Sequence, residues 1–295
     1  MDLPLPDLSP ATSLSTTSPV SVLRPAVASA PIVFASPHSG RDYSAAFIAA
    51  ARLDALRLRR SEDSFVDELF ADVPALGMPL VCATFPRAFC DANREAWELD
   101  PAMFEEALPS WVNTASPRVG AGLGTIAKVV ASGESIYRGK LRFADAQARI
   151  RGCWQPFHDA LAAEIEATRS RFGTCVLIDC HSMPASSLPP RDPADIVLGD
   201  AHGTACAPAV ITAVEAVLTE CGFAVRRNDP YAGGYITRHY GRPRHGVHAV
   251  QIEINRTLYM NEARIERLPE FDDIRRSLAR AVAEIAELVH RLILA

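Results

Sequence analysis

The chain reads as an α/β protein built on a central mixed, largely parallel sheet flanked by helices. Two kinds of segment alternate along its 295 residues: short, continuously apolar runs that end in polar loops, and longer stretches with apolar residues at helical spacing. The composition is the third observation, since 48% hydrophobic against 22% charged residues supplies one large core or two small ones. A strand that is apolar along its whole length has no face for water, which is the pattern of a parallel sheet covered on both sides. In such sheets ligand sites gather beyond the carboxyl ends of the strands.

Taken in order, residues 1–30 are rich in Pro, Ser, Thr and Ala without a hydrophobic period, so a flexible or surface-hugging lead-in is expected there and a single α/β domain over 31–295. Pro31–Ser36 is the first buried strand and delivers the loop Pro-His-Ser-Gly. Pro79–Phe85 and Thr174–Ser182 have the same form, whereas Val247–Arg256 alternates more and carries a carboxylate inside it. Ile150, Trp154, Phe157, Leu161 and Ile165 mark a helix, and Ile274, Leu278, Val282, Ile285, Val289 and Leu292 mark another at the C-terminus. Both stripes are core faces, not cofactor boxes. Residues 101–145 scatter Gly120, Gly122, Gly124, Gly133 and Gly139 among polar residues, and are expected to fold over the sheet rim as a long excursion.

Several function classes are excluded at this level. A net charge of −5 has the wrong sign for a nucleic-acid or membrane-surface binder. No apolar run approaches the roughly 20 residues of a bilayer span, and the N-terminus lacks a basic start and apolar stretch, so a cytoplasmic protein is expected. Seven scattered cysteines without a CxxC pair suit a reducing compartment and argue against a disulfide framework or a cysteine zinc knuckle. Gly120–Gly124 superficially resembles a nucleotide loop, but its third glycine is misplaced and no strand precedes it. Cys180 beside His181 is expected to be buried and inert, because neighbours along a strand point to opposite faces.

Two strand ends each present a histidine, His38 in Ser-Pro-His-Ser-Gly and His181 in Ile-Asp-Cys-His-Ser-Met. A catalytic zinc site takes three such protein ligands, often two His and a carboxylate, and keeps a position open for water. The carboxylate candidate lies in Ser61–Phe70, where Asp67 and Glu68 fall on a helix and where Ser61 or Asp63 caps it, Asp63 being as readily a cap as a ligand at this spacing. Glu253 lies between Ile252 and Ile254 in a core strand, where an unpaired charge is costly; it faces solvent by alternation or it faces a site, and at a metal site it is a natural general base. Arg87, Asn93 and Arg94 lie close in sequence, and a guanidinium fork matches a carboxylate in two hydrogen bonds. His239, His245 and His248, and the pair Asp195 and His202, are either solvent-exposed loop residues or further site residues.

The stretches Ser36–Gly40, Glu62–Leu69, Asp91–Arg94, Ile136–Gly139, Ile178–Met183, Asp195–Asp200, Gly233–Tyr235 and Gln251–Arg256 together resemble the N-formylglutamate amidohydrolase family. They run in family order over most of the chain; none is specific alone. The resemblance implies a fold similar to the zinc carboxypeptidase and aspartoacylase group (phosphorylase/hydrolase-like) with one divalent metal ion, zinc. It implies that His38 and His181 are ligands, that Glu253 is the general base, and that Asn93 and Arg94 hold a substrate carboxylate. Tyr137 and Tyr235, carried in two of the stretches, are expected to contact substrate, and Arg87, or alternatively Arg138, to stabilise the oxyanion. One departure stands out. The wider carboxypeptidase group places a Glu three residues after its first His, where this chain has Arg41, so Asp63 is taken as the third ligand. The implied reaction is zinc-dependent hydrolysis of N-formyl-L-glutamate to formate and glutamate, as in histidine degradation. A second Arg from residues 226–244 would take the other carboxylate of this small-molecule substrate. The rival readings are a deacylase or carboxypeptidase acting on another N-acyl amino acid or peptide, and a non-catalytic binding protein on the same scaffold.

Overall fold

The computed structural model describes residues 18–189, 191 and 193–294. Among them seven strands form one sheet: β1 (Val20–Leu23), β2 (Ile32–Ser36), β3 (Leu80–Ala83), β4 (Cys175–Met183), β5 (Ile196–Gly199), β6 (Val225–Arg227) and β7 (Val247–Asn255). Their order across the sheet is β1-β3-β2-β4-β7-β5-β6. The central four, β3, β2, β4 and β7, are mutually parallel, which is the mixed, largely parallel sheet expected from the apolar runs. β1 joins one edge antiparallel, and β5 with β6 joins the other, β5 running antiparallel to β7. Within the lead-in of residues 1–30, where no strand is singled out from sequence, β1 lies along the sheet edge, and its Val20 and Val22 pack on the core while pairing with β3. Residues 1–17 of that segment lie outside the described residues.

The helices are α1 (Ala45–Ala50), α2 (Ala55–Arg59), α3 (Val66–Leu69), α4 (Pro117–Gly120), α5 (Phe143–Arg149), α6 (Gln155–Phe172), α7 (Pro208–Glu220), α8 (Tyr235–Tyr240) and α9 (Phe271–Leu294). One sheet face buries Val33, Ala35, Leu177 and Ala249 against Phe157, Leu161 and Ile165 of α6. The other buries Phe34, Ile178, Val250 and Ile252 against α7 and against Leu278, Val282, Ile285 and Val289 of α9. Each Val, Leu, Ile or Phe among them taken fully from water contributes roughly 1.5–3 kcal/mol, so the strands in the middle of the sheet are its most firmly held backbone. Residues 101–142 are mostly irregular, tied down by isolated bridges such as Phe104↔Leu141 and Val129↔Ser135.

Two features of the fold hold the segment 91–94 in place. α5 and α6 are joined without a break by a π-helical turn, Ile150–Trp154, of the kind that often marks a functional region. From it and the turn that follows, Trp154 Nε1 donates to the Arg94 carbonyl at 2.9 Å and His158 Nε2 donates to the Ala92 carbonyl at 2.8 Å. Nδ1 of His158 meets the Tyr240 hydroxyl at 2.9 Å, which ties α8 to α6. Gly40 permits a further close approach, since a Cβ there would sit 2.2 Å from the Phe85 carbonyl oxygen and force the loops after β2 and β3 apart.

Burial keeps His158 neutral by lowering its pKa to about 4. A folded-state value below the unfolded value near 6.5 means that its contribution is present above pH ~6.5 and lost as the pH falls through 4, to the extent of about 3 kcal/mol. Urea unfolding with chelator present is therefore expected to show the midpoint falling between pH 7 and pH 4.5. His158→Gln should be less stable at pH 7 and should lose one proton's share of that slope; an unchanged slope would remove His158 as its source.

Candidate active site

The site grows out of the register of two parallel strands. β4 and β7 pair Asp179 with Gln251 and His181 with Glu253. Alternation puts these four on the sheet face that, further back, carries Leu177 and Ala249. That face is apolar for half its length and turns polar toward the carboxyl ends. Glu253 therefore faces a site rather than solvent, one of the two possibilities its position left open. Cys180 points into the opposite core, where burial pushes its thiol well above the ordinary range, so it is inert as expected.

His38 follows β2, the next strand over, and Asp63 precedes α3. The Asp63 amide donates to the His38 carbonyl at 3.1 Å, pulling the two loops together. The N-cap position of α3 is taken instead by Phe65, in a left-handed conformation and without a side-chain hydrogen bond, so the Asp63 carboxylate is free to turn inward. Its Oδ2 lies 2.9 Å from His181 Nδ1 and 3.4 Å from His38 Nδ1. One ligand atom from each of His38, Asp63 and His181 lies within 4.8 Å of the others. All three residues are almost wholly buried.

Carboxylates stand behind both rings. Asp91 Oδ1 is 2.7 Å from His38 Nε2, and because a carboxylate only accepts, that nitrogen carries the proton. His38 Nδ1 then presents a lone pair, and it has no hydrogen-bond partner among the described residues. Asp179 Oδ1 lies 3.0 Å from His181 Nε2, which also meets Asn93 Nδ2 at 3.1 Å. The fit to a divalent cation rests on this orphaned lone pair beside an inward-turned carboxylate. Two imidazoles and one carboxylate are a zinc donor set, and carboxylates behind the ligating rings are its usual support.

The electrostatics agree. Burial would raise Asp63, but the two neighbouring imidazoles, His181 first, hold it well below the usual carboxylate range. Burial would lower His181, yet Asp179, Asp63 and Glu253 hold it well above the usual imidazole range. These acids demand a positive charge among them. Glu253 accepts from Gln251 Nε2 at 2.8 Å, and burial, with Asp63 adding to it, raises its pKa to about 7 against the pull of His181, Arg87 and Arg256. A carboxyl that gains and loses its proton near neutrality suits general acid–base work.

Around this centre lies a cavity of about 490 Å³. Of the residues expected from sequence, it brings together His38, Asp63, His181, Glu253, Arg87, Asn93 and Arg94. Arg87 grips Asp91 through Nε and Nη2. Arg94 is held by the carbonyls of Leu123 and Asn93. The Asn93 amide is engaged within the protein, between His181 and the Ile236 amide, and Gly234 leaves it room: a Cβ there would meet the Asn93 side chain at 2.3 Å. Arg138, Tyr137 and Tyr235 are not among the lining residues. Arg138 is exposed and donates to the Ala51 carbonyl, Tyr137 accepts from Arg149 beside Phe47, and Tyr235 packs on His239 and Trp154. His248 accepts from the Ala207 amide, Asp195 from the Ala224 amide, and neither they nor His202, His239 and His245 line the cavity.

The structure adds residues that sequence reasoning passed over. Asp91 and Asp179 back the imidazoles; Arg256 donates to Asp63 Oδ1 at 2.9 Å and to the Glu62 carbonyl; Tyr231 meets the Ser187 hydroxyl at 2.6 Å on the cavity wall. Asp179 and Gln251 each stand two residues before a residue singled out, and strand alternation alone puts them on its face.

A buried carboxylate between two imidazoles, a further acid tuned near neutrality and an arginine-lined cavity at strand ends are the equipment of a hydrolase that works on a polarised carbonyl. The model of the N-formylglutamate amidohydrolase family matches residues 30–260. The chain is 30% identical over 239 residues to the N-formylglutamate deformylase of Pseudomonas aeruginosa, covering 79% of this chain and 83% of that one. The N-formylglutamate deformylase of Pseudomonas putida is 27% identical over 242 residues, with 79% and 82% covered. The crystal structure of N-formylglutamate amidohydrolase from Ralstonia eutropha JMP134 superposes with a TM-score of 0.88 at 38% identity, over 94% of this chain and all of that one. The chain belongs to the N-formylglutamate amidohydrolase family and is an amide-hydrolysing enzyme. No helix of the described residues is long and apolar enough to cross a membrane.

Asp179 is wholly buried, and neither of its oxygens has a hydrogen-bond partner in good alignment among the described residues. Asp179→Asn keeps the shape and removes the charge behind His181. It is expected to weaken divalent-ion affinity about 10–100-fold, read by equilibrium dialysis with zinc, while circular dichroism stays that of the parent. Affinity equal to the parent's would detach Asp179 from the ligand shell.

Proposed function

We propose that this protein hydrolyses N-formyl-L-glutamate to formate and L-glutamate, with a zinc ion held by His38, Asp63 and His181. The observation that carries the reading is the convergence of those three side chains within 4.8 Å, with Glu253 directly opposite His181 on the next strand. When bound, such an ion acts as a Lewis acid and lowers the pKa of water toward ~7.

The chain's own groups account for the rest. Glu253, ionised for part of the time at neutral pH, accepts a proton from the attacking water as its oxygen adds to the formyl carbon. It returns that proton to the amide nitrogen as the carbon–nitrogen bond breaks, so that glutamate leaves as an amine and the formyl carbon leaves as formate. Arg87, held by Asp91 so that its guanidinium borders the cavity, stabilises the negative charge that develops on the carbonyl oxygen. Arg94 meets the carboxylate nearest the scissile amide, and Asn93 acts by orienting His181 and the start of α8. The reaction fits a cytoplasmic step of histidine degradation.

Formate release from N-formyl-L-glutamate is expected for the zinc-loaded chain and is expected to disappear with chelator. Acetate release from N-acetylglutamate or amino-acid release from a peptide in its place would assign another acyl-amide substrate. Glu253→Gln should lower kcat by roughly 10²–10⁴-fold while keeping the bound ion. Near-normal turnover in that variant would take the base role from Glu253.

A further inference from the structure

The cavity carries more positive charge than its own acids neutralise: five arginines line it against three carboxylates. Three of the five are committed inside the protein. Arg87 is bound to Asp91, Arg94 to two carbonyls, and Arg256 to Asp63 and Ser182. The three acids are likewise engaged, Asp63 and Asp91 with the histidines and Glu253 with Gln251.

Arg118 of α4 and Arg238 of α8 differ from the others. Both are exposed, both line the cavity, and neither guanidinium has a hydrogen-bond or ion-pair partner among the described residues. Arg118 also lies within electrostatic reach of Arg94, whose pKa is held below the usual guanidinium value by burial first and then by Arg87 and Arg118, against the opposing pull of Asp91. Positive charges gathered at a cavity without protein acids to answer them are matched by an anion from outside. A guanidinium is suited to a carboxylate, because its planar fork meets both oxygens. The two residues come from separate parts of the chain, the excursion over the sheet rim and the helix that follows Gly234, so the subsite they define exists only in the folded protein.

We propose that Arg118 and Arg238 form a second carboxylate subsite, which takes the side-chain carboxylate of an N-acylated dicarboxylic amino acid and makes the enzyme selective for such substrates over those with neutral side chains. This deepens the function proposed above and rests on it for the identity of the reacting amide. The excursion 101–142 then has a chemical role, since it delivers one of the two guanidiniums. Arg238 falls in the region 226–244, where a second carboxylate-binding arginine is expected from sequence; Arg118 is added by the fold.

The test compares formate release by the zinc-loaded full chain from N-formyl-L-glutamate and from the near-isosteric neutral N-formyl-L-glutamine. The parent is expected to favour the glutamate compound in kcat/KM, and Arg118→Ala and Arg238→Ala should each lower that preference about tenfold, chiefly through the KM for glutamate. Arg238→Lys should retain more of it than Arg238→Ala. A parent without preference, or alanine variants that keep it, would overturn the subsite. Calorimetric titration with glutarate and with butyrate gives a second readout that needs no turnover: glutarate should bind more tightly to the parent, and the advantage should vanish in the double alanine variant. If the parent releases no formate from either compound, the proposed reaction fails, and the glutarate titration still decides for or against the subsite.

Discussion

A carboxylate almost wholly withdrawn from water, Asp63, sets the terms for the rest of the molecule. Taking such a charge out of water costs several kcal/mol, and only fixed donors of opposite charge offset it. Arg256 answers one oxygen and the His181 imidazole the other, with the His38 imidazole beside it. The imidazoles are in turn backed by Asp91 and Asp179, and Asp91 by Arg87 and Arg94. Signs alternate outward from the centre, so none of these buried charges is left without a neighbour of the other kind. That requirement explains the strand order. With β2, β4 and β7 adjacent, His38, His181, Glu253 and Arg256 all emerge at neighbouring strand ends, and a hydrogen bond between the backbones of Asp63 and His38 closes the circle.

How much of this is legible in the sequence follows from the same physics. Strands buried on both faces must be apolar throughout, so β2, β3, β4 and β7 stand out as runs, and α6 and α9 as stripes. β1 and β6 have four and three residues and are mostly half-buried, too few and too mixed to show a period. His38, His181 and Glu253 stand out because a polar residue at the end of, or inside, an apolar strand needs a reason. Asp63 has two reasonable fates, helix cap or ligand, and only the left-handed Phe65 and the inward turn of the loop decide between them. Arg138, Tyr137 and Tyr235 are drawn in by neighbouring stretches rather than by a physical argument of their own, and they lie outside the cavity lining. Arg118 has no local signature at all, because its place depends on the path of an irregular segment.

The helical layer does more than cover the sheet. The π-helical turn between α5 and α6 allows Trp154 and His158 to reach the carbonyls of Arg94 and Ala92, so the loop that carries Asp91, Asn93 and Arg94 is anchored from behind. Asn93 passes that rigidity forward to His181 and to the first turn of α8. A shift at α6 would therefore be felt at an imidazole that it never touches. The coupling runs through the carbonyls of Ala92 and Arg94 and the Asn93 side chain between them, and requires no moving part.

The charge also changes sign with depth. At the floor Asp63, Asp179 and Glu253 crowd around His181, and at the wall the guanidiniums of Arg118 and Arg238 are unopposed. An anionic substrate is drawn to the wall but repelled by the floor, unless a cation lies among those acids. The cation and the anion therefore favour one another's binding, since each relieves an imbalance that the other leaves. Linkage makes the effect reciprocal: whatever factor the ion adds to the affinity for a dicarboxylate, the dicarboxylate adds to the affinity for the ion. A site arranged in this way is least attractive to an anion when no cation lies among its acids, and the coupling arises from charge placement alone, without a change of shape.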